Sequence, residues 1–117
     1  MLLIREAQIQ VLSGSRRESF IARCETHLRA NFAGCAALSP RELRTMVEQG
    51  TARALSYGIE AERDICKFLN LIAVFGWDFD LRFQWARKTL RSEAGPRLRL
   101  NRLYERAIRA ADSEAPR

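Results

Sequence analysis

The residues of this chain with the clearest potential for chemistry are two aspartates that flank an aromatic residue. Asp78 and Asp80 stand two apart in the stretch W-D-F-D, residues 77–80, where paired carboxylates would suit a hard cation. Such cations take six or more oxygen ligands, but no third carboxylate lies nearby and Arg82 follows at once. The spacing therefore favours a structural role in which Asp80 caps a helix over residues 81–91, and no metal or cofactor is expected.

The three cysteines raise a second possibility, a zinc site. Cys24 and His27 stand three apart, so one helix could present both to a metal ion. Structural zinc sites are usually built from two close pairs of ligands, whereas Cys35 and Cys66 are far apart in the sequence. An odd number of cysteines without a C-x-x-C motif also argues against a disulfide framework. We therefore predict buried, free cysteines and a reducing cytoplasm.

Motifs for nucleophilic or phosphate chemistry are missing from the sequence. The chain has no glycine-rich phosphate loop, no Ser/His/Asp spacing and no H-E-x-x-H motif. His27 is the one histidine, and it lies at the edge of an apolar helical face, where a half-buried structural role is favoured. The sequence therefore predicts a protein that is not an enzyme.

Composition and charge limit the possible partners. A chain of 117 residues with 47% hydrophobic and 29% charged residues has the size and composition of one globular domain. No run of about 20 apolar residues occurs, so no membrane span is predicted, and Arg5 and Glu6 interrupt the apolar start before a signal peptide forms. The net charge of +6 suits a nucleic acid, an anionic surface or an acidic protein.

Hydrophobic periodicity and helix-end signals predict an all-α protein. Capping boxes at residues 15–18 and 39–42 start two helices, Gly58 and Gly76 end two, and Pro96 begins the last. Residues 60–75 are apolar around most of the helix, which is typical of a central helix packed on several sides. We predict a single compact bundle of about five to six helices around this central helix, and one of these helices spans residues 4–12. Residues 1–111 form the domain, and 112–117 form a frayed tail.

Two groups of side chains are candidates for partner binding. Four aromatic residues lie within nine positions, from Trp77 to Trp85, and an exposed Trp would serve as an interface anchor. The last helix carries a basic stripe nearly opposite its apolar face, with a solvated face as the alternative interpretation. The predicted partner-binding residues are Trp77, Phe79, Trp85, Arg99, Arg102, Arg106 and Arg109.

Several stretches together carry a family resemblance. These stretches are LIREAQIQVLS, GIEAERDICKFLNLIAVFGWDFD and RLYERA. Through them, the chain resembles small helical accessory proteins that are encoded beside toxin effectors of type VI secretion systems. The genes of these accessory proteins lie near genes for a PAAR spike-tip protein and an effector chaperone, and at least one of the accessory proteins acts as a co-chaperone. The resemblance spans most of residues 2–109 and implies an all-helical cytoplasmic adaptor whose partner is an effector chaperone, a toxin effector or both. It implies no active-site residues.

Two alternatives to the adaptor remain open from the sequence. A basic helical module could bind nucleic acid, although the start of the last helix offers only Arg97 and Arg99 for base edges. The other alternative is an immunity protein that blocks a co-encoded toxin. Immunity proteins against nucleases are often acidic mimics of nucleic acid, so the basic charge of this chain argues against that kind of target.

Overall fold

The computed structural model describes the backbone of residues 15–114 and the side chains of residues 16–111. The predicted helix over residues 4–12 and the final three residues of the predicted tail lie outside this part of the chain. The described residues form helices and no strands, so the predicted all-α class is confirmed. The helices are α1 (Ser15–Asn31), α2 (Ala33–Ala36), α3 (Pro40–Ser56), α4 (Glu62–Phe75), α5 (Phe79–Arg82), α6 (Gln84–Leu90) and α7 (Pro96–Glu114).

The predicted capping box at the start of α3 is confirmed in both of its hydrogen bonds. The Glu42 amide donates to the Ser39 hydroxyl at 3.1 Å, and the Ser39 amide donates to the Glu42 carboxylate at 2.9 Å. Pro40 occupies the first turn, where a missing amide proton costs nothing. At the start of α1 the Ser15 side chain lies outside the described residues, and the Glu18 carboxylate accepts hydrogen bonds from Arg44 of α3.

Two glycines end helices in the left-handed region of backbone space, as predicted. Gly58 has φ +82° after α3, and Gly76 has φ +105° after α4. Ile59 follows Gly58, donates its amide to the Ala54 carbonyl at 3.0 Å and is buried. In this arrangement, the apolar residue that follows the glycine in sequence packs against the last turn of the helix.

Helix α4 is apolar around most of its circumference and packs against α1, α3, α5 and α7. It begins at Glu62, two residues after the predicted start. In its first turn, Asp64 is buried and pairs with Arg97 of α7 at 3.1 Å. The buried apolar side chains of α4 are Ile65, Phe68, Leu69, Leu71 and Ile72.

Gly50 stands inside α3, where glycine costs helix propensity, and that cost predicts the close approach of another helix. Such an approach is present between α3 and α4. Gly50 is buried, and a Cβ built on it would overlap Leu69 Cδ2 and lie 3.1 Å from Ile72 Cδ1. Both side chains belong to the buried face of α4. A glycine at this position therefore leaves the space that the Leu69 and Ile72 side chains of α4 occupy.

We expect Gly50→Ala to lower the free energy of unfolding by about 1 to 3 kcal/mol, since overpacking a buried contact outweighs the better helix propensity of alanine. Gly34→Ala is the matched control, because Gly34 lies in helix α2 and a Cβ there meets nothing within 4 Å. Alanine at position 34 should be neutral or stabilising by up to about 1 kcal/mol. Urea denaturation of both variants tests this, and equal stabilities would contradict the close approach.

The prediction of one continuous helix over residues 81–91 is wrong. Helices α5 and α6 replace it, and Phe83 between them is extended, with φ −91° and ψ 126°. The Phe83 ring packs on Phe75 and Trp85 at centroid distances of 5.6 and 5.5 Å. An extended residue lets this ring reach the end of α4, which a continuous helix would not do.

Asp80 does not cap a helix. It lies within α5, and its carboxylate is 2% exposed. The Arg53 guanidinium donates to Asp80 Oδ1 at 2.8 Å, and the Tyr57 hydroxyl donates to Asp80 Oδ2 at 2.6 Å. Burial, together with this hydrogen bond to Asp80, raises the pKa of Tyr57 to about 12. Asp80 thus joins α3 to α5 across the interior.

Candidate protein-binding site

Three aromatic side chains form a cluster where α4, α5 and α6 meet. Phe75, Phe83 and Trp85 contact one another, with Trp85 stacked on Phe83 and edge-on to Phe75 at 5.4 Å. The Arg82 guanidinium lies over the Phe83 ring, 4.7 Å from its centroid. All three rings are partly buried and pack against the core. The cluster holds the Trp85 ring in a fixed orientation at the surface.

Trp85 lines one wall of a groove between α6 and α7, which we call the α6–α7 groove. Its volume is about 360 Å³, near the lower end of the range for ligand sites. Helix α6 also contributes Thr89, whose hydroxyl donates to the Trp85 carbonyl at 2.7 Å. The residues that line the groove are Trp85, Lys88, Thr89, Arg102, Glu105, Arg106 and Arg109.

The α6–α7 groove is strongly basic. Lys88, Arg102, Arg106 and Arg109 are exposed, and Glu105 is the one acid among the lining residues. Within the described part of the chain these four cations make no ion pair, whereas Arg53 and Arg97 pair with buried aspartates. Cations without a counter-charge beside a partly buried indole favour a ligand that carries negative charge and an apolar or aromatic group.

The packing of α7 determines which of its arginines face the groove. Leu100, Leu103 and Ala107 are buried against the rest of the bundle. The Tyr104 hydroxyl donates to the Lys67 carbonyl at 2.9 Å and accepts from the Asn70 amide at 3.2 Å. These contacts fix the rotation of the helix, so positions 102, 106 and 109 lie on its outer side.

No family model, curated protein or solved structure matches this chain. The α6–α7 groove and its chemistry therefore carry the functional interpretation.

Arg99 does not belong to the exposed basic stripe, so this part of the prediction is wrong. Its guanidinium donates to the Leu90 carbonyl and to the Tyr57 carbonyl, both at 2.6 Å. These carbonyls lie at the ends of α6 and α3, where the helix dipole favours a positive charge. Arg99 is therefore held inward and links three helices.

The predicted aromatic binding residues lie in different environments in the structure. Phe79 is fully buried, with 0% exposure, and packs on Phe68 at 5.4 Å, so it cannot contact a partner of the folded protein. Trp77 is 39% exposed, lies beneath the Arg53 guanidinium and lines a separate apolar groove with Leu38 and Met46. Of the predicted binding residues, Trp85, Arg102, Arg106 and Arg109 share one groove.

The residues that had suggested metal binding have other contacts. Asp78 lies 3.6 Å from Arg82, and Asp80 is bound by Arg53 and Tyr57. His27 bonds with Asn70 and Asn31 at 3.0 and 3.2 Å. Across residues 16–111 no three His, Cys, Asp or Glu side chains are grouped as a metal site would require. Nor does any helix of that region have the length and apolar composition to cross a membrane.

Lys88, Thr89 and Glu105 line the groove but were not among the predicted binding residues, and Lys88 is the one that adds positive charge. It stands three residues after Trp85, and Thr89 stands four after it, so α6 presents all three on one side. That spacing was visible in the sequence. What was not visible was the position of this side of α6, which faces the basic stripe of α7 because the two helices pack together.

Proposed function

We propose that this protein is a non-catalytic adaptor that binds an acidic segment of a partner protein in the α6–α7 groove. The observation that carries the proposal is the position of Trp85 beside Lys88, Arg102, Arg106 and Arg109, none of which has an ion-pair partner among the described residues. In the bound state, an apolar or aromatic side chain of the partner packs on Trp85 while neighbouring carboxylates pair with the arginines.

The size of the groove favours a peptide segment over a nucleic-acid duplex. A volume of about 360 Å³ takes one or two side chains. A recognition helix would present free arginines at its N-terminal end, but Arg97 pairs with Asp64 and Arg99 with two backbone carbonyls. The two residues that had supported duplex recognition are thus occupied within the protein, which supports the adaptor over the nucleic-acid module.

The resemblance to type VI accessory proteins supplies the proposed partner. We propose that the acidic segment belongs to an effector chaperone or to the toxin effector itself, and that the protein acts in the cytoplasm as a co-chaperone during effector loading. This step rests on the resemblance, whereas the chemistry of the bound segment rests on the groove. A direct toxin-blocking role would use the same groove and differs only in the identity of the partner.

We further propose that the bundle is organised around α4, with the groove built on its outer side. The contacts of α4 with α1, α3, α5 and α7 support this arrangement. Through Phe75, the end of α4 also supports the ring that lines the groove. The interior helix then provides the rigid base that keeps Trp85 and the arginines in place.

The proposal predicts that reversing the groove charges, or removing the Trp85 ring, weakens partner binding without unfolding the protein. The variants are the triple change Arg102→Glu, Arg106→Glu and Arg109→Glu, and separately Trp85→Ala. Each should weaken binding by at least about 30-fold, which corresponds to a hot-spot loss of about 2 kcal/mol. Capture from native lysate with mass spectrometry identifies the partner, and titration of the purified partner then measures the dissociation constant.

A matched control separates the groove from general charge. Arg16, Arg41 and Arg63 are exposed, lie in first turns of α1, α3 and α4 and have no described ion pair, so their reversal makes the same change in net charge elsewhere. This control triple should retain near wild-type affinity. Equal weakening by both triples, or a captured partner without an acidic segment, would contradict the proposal. Tight, salt-sensitive nucleic-acid binding without a protein partner would favour the alternative.

A further inference from the structure

Cys24 of α1 and Cys66 of α4 are 42 residues apart in sequence, yet their sulfur atoms lie 3.4 Å apart. Cys24 is buried, whereas Cys66 is partly exposed to solvent. Cys35 is buried as a separate thiol. In this pair the partly exposed Cys66 is accessible to a small reagent, and the sulfur of the buried Cys24 is in contact with the Cys66 sulfur.

The surroundings of the pair make the two thiols chemically unequal. Either thiol can donate in this contact; with the S–H on Cys24, the contact and the Arg23 charge lower the pKa of Cys66. The same contact, together with burial, raises the pKa of Cys24. A thiolate is the form of cysteine that reacts with oxidants. Cys66 is thus the nucleophile, and Cys24 is the resolving thiol.

We propose that Cys24 and Cys66 form a redox-responsive dithiol that a peroxide converts into an intramolecular disulfide between α1 and α4. The Cys66 thiolate attacks one peroxide oxygen, the O–O bond breaks, and a sulfenic acid and a hydroxide ion form, the latter taking up the proton that Cys66 had released. The Cys24 sulfur then attacks the Cys66 sulfur, the S–O bond breaks, and the Cys24 proton leaves with hydroxide as water. The two thiols lose two electrons, which reduce one peroxide to two waters.

The test counts thiols in the intact protein before and after treatment with hydrogen peroxide. After unfolding and alkylation, mass spectrometry should find three reactive thiols in the reduced chain and one in the oxidised chain. Cys35→Ser is the matched control and should fall from two thiols to none. In Cys24→Ser, Cys66 should stop at a sulfenic acid that dimedone traps, whereas Cys66→Ser should keep both of its thiols.

Three results would overturn the proposal: an unchanged count of three thiols, a peptide map that joins Cys35 to either partner, or a disulfide-linked dimer on a non-reducing gel. The wild-type measurement requires no substitution, so a variant that fails to fold does not affect it. The outcome is also independent of partner binding in the α6–α7 groove, because the dithiol joins two other helices.

Discussion

Truncation of Phe68 to alanine is expected to lower the free energy of unfolding by about 3 to 5 kcal/mol. Phe68 lies in α4 with 0% exposure, and its ring packs on Tyr57 and Phe79 at centroid distances of 5.9 and 5.4 Å. A cavity at this position would face Tyr57, which follows α3, and Phe79 of α5. Since domains are stable by only about 5 to 15 kcal/mol, the variant should unfold far more readily than wild type in urea.

Val74→Ala in the same helix is the control for this prediction. Val74 is 54% exposed, so its truncation should change stability by no more than about 0.5 kcal/mol. The difference between the two variants measures how strongly one side of α4 is buried. If Phe68→Ala melts close to wild type by circular dichroism, the bundle is not organised around α4 and the proposed arrangement is wrong.

The parts of the fold that could be predicted from the sequence are those that depend on neighbouring residues. The capping box at Ser39 needs only Glu42 three positions later, and the stops at Gly58 and Gly76 need only a residue that tolerates positive φ. Gly50 is the informative exception. A glycine inside an amphipathic helix has a cost, and that cost correctly predicted a close contact with α4.

The contacts that could not be predicted join polar residues that are distant in sequence. Asp64 pairs with Arg97 and Asp80 with Arg53, across 33 and 27 positions. A hydrophobic pattern counts every charged residue as surface, so it has no means of marking a buried pair. Arg99 was misplaced for the same reason, because its position on the helix was correct but its bonds to two carbonyls were not foreseeable.

The residues of the candidate site could be predicted in part, but their position in one groove could not. Helical spacing alone places Arg102, Arg106 and Arg109 on one side of the last helix, and Trp85 stood out by its chemistry. Their meeting in one groove depends on α6 packing against α7. The helical spacing of residues 81–91 also did not predict the break at Phe83, where the ring packs on Phe75 and Trp85.

Asp80→Ala is expected to lower the free energy of unfolding by about 3 kcal/mol, near the lower end of the range for breaking a buried ion pair. The carboxylate is 2% exposed, and its loss leaves Arg53 and the Tyr57 hydroxyl without their partner. The Arg53 side chain remains 22% exposed and keeps its contacts with the Trp77 carbonyl and ring, which limits the cost. A helix cap in the same place would be worth only about 1 kcal/mol.

Asp80→Asn distinguishes a buried ion pair from a helix cap at this position. Asparagine caps helices as well as aspartate does, so a capping role predicts almost no change, whereas the loss of charge beside Arg53 should cost about 1 to 2 kcal/mol. A double-mutant cycle that combines Asp80→Asn with Arg53→Met measures the coupling energy between the two side chains. Because Arg53 Nη1 and Asp80 Oδ1 are 2.8 Å apart, the two substitutions should show a coupling of at least about 1 kcal/mol in urea denaturation. Additive effects would mean that the ion pair contributes nothing to stability. The hydrogen bond from Tyr57 would then be the remaining stabilising contact of the Asp80 carboxylate.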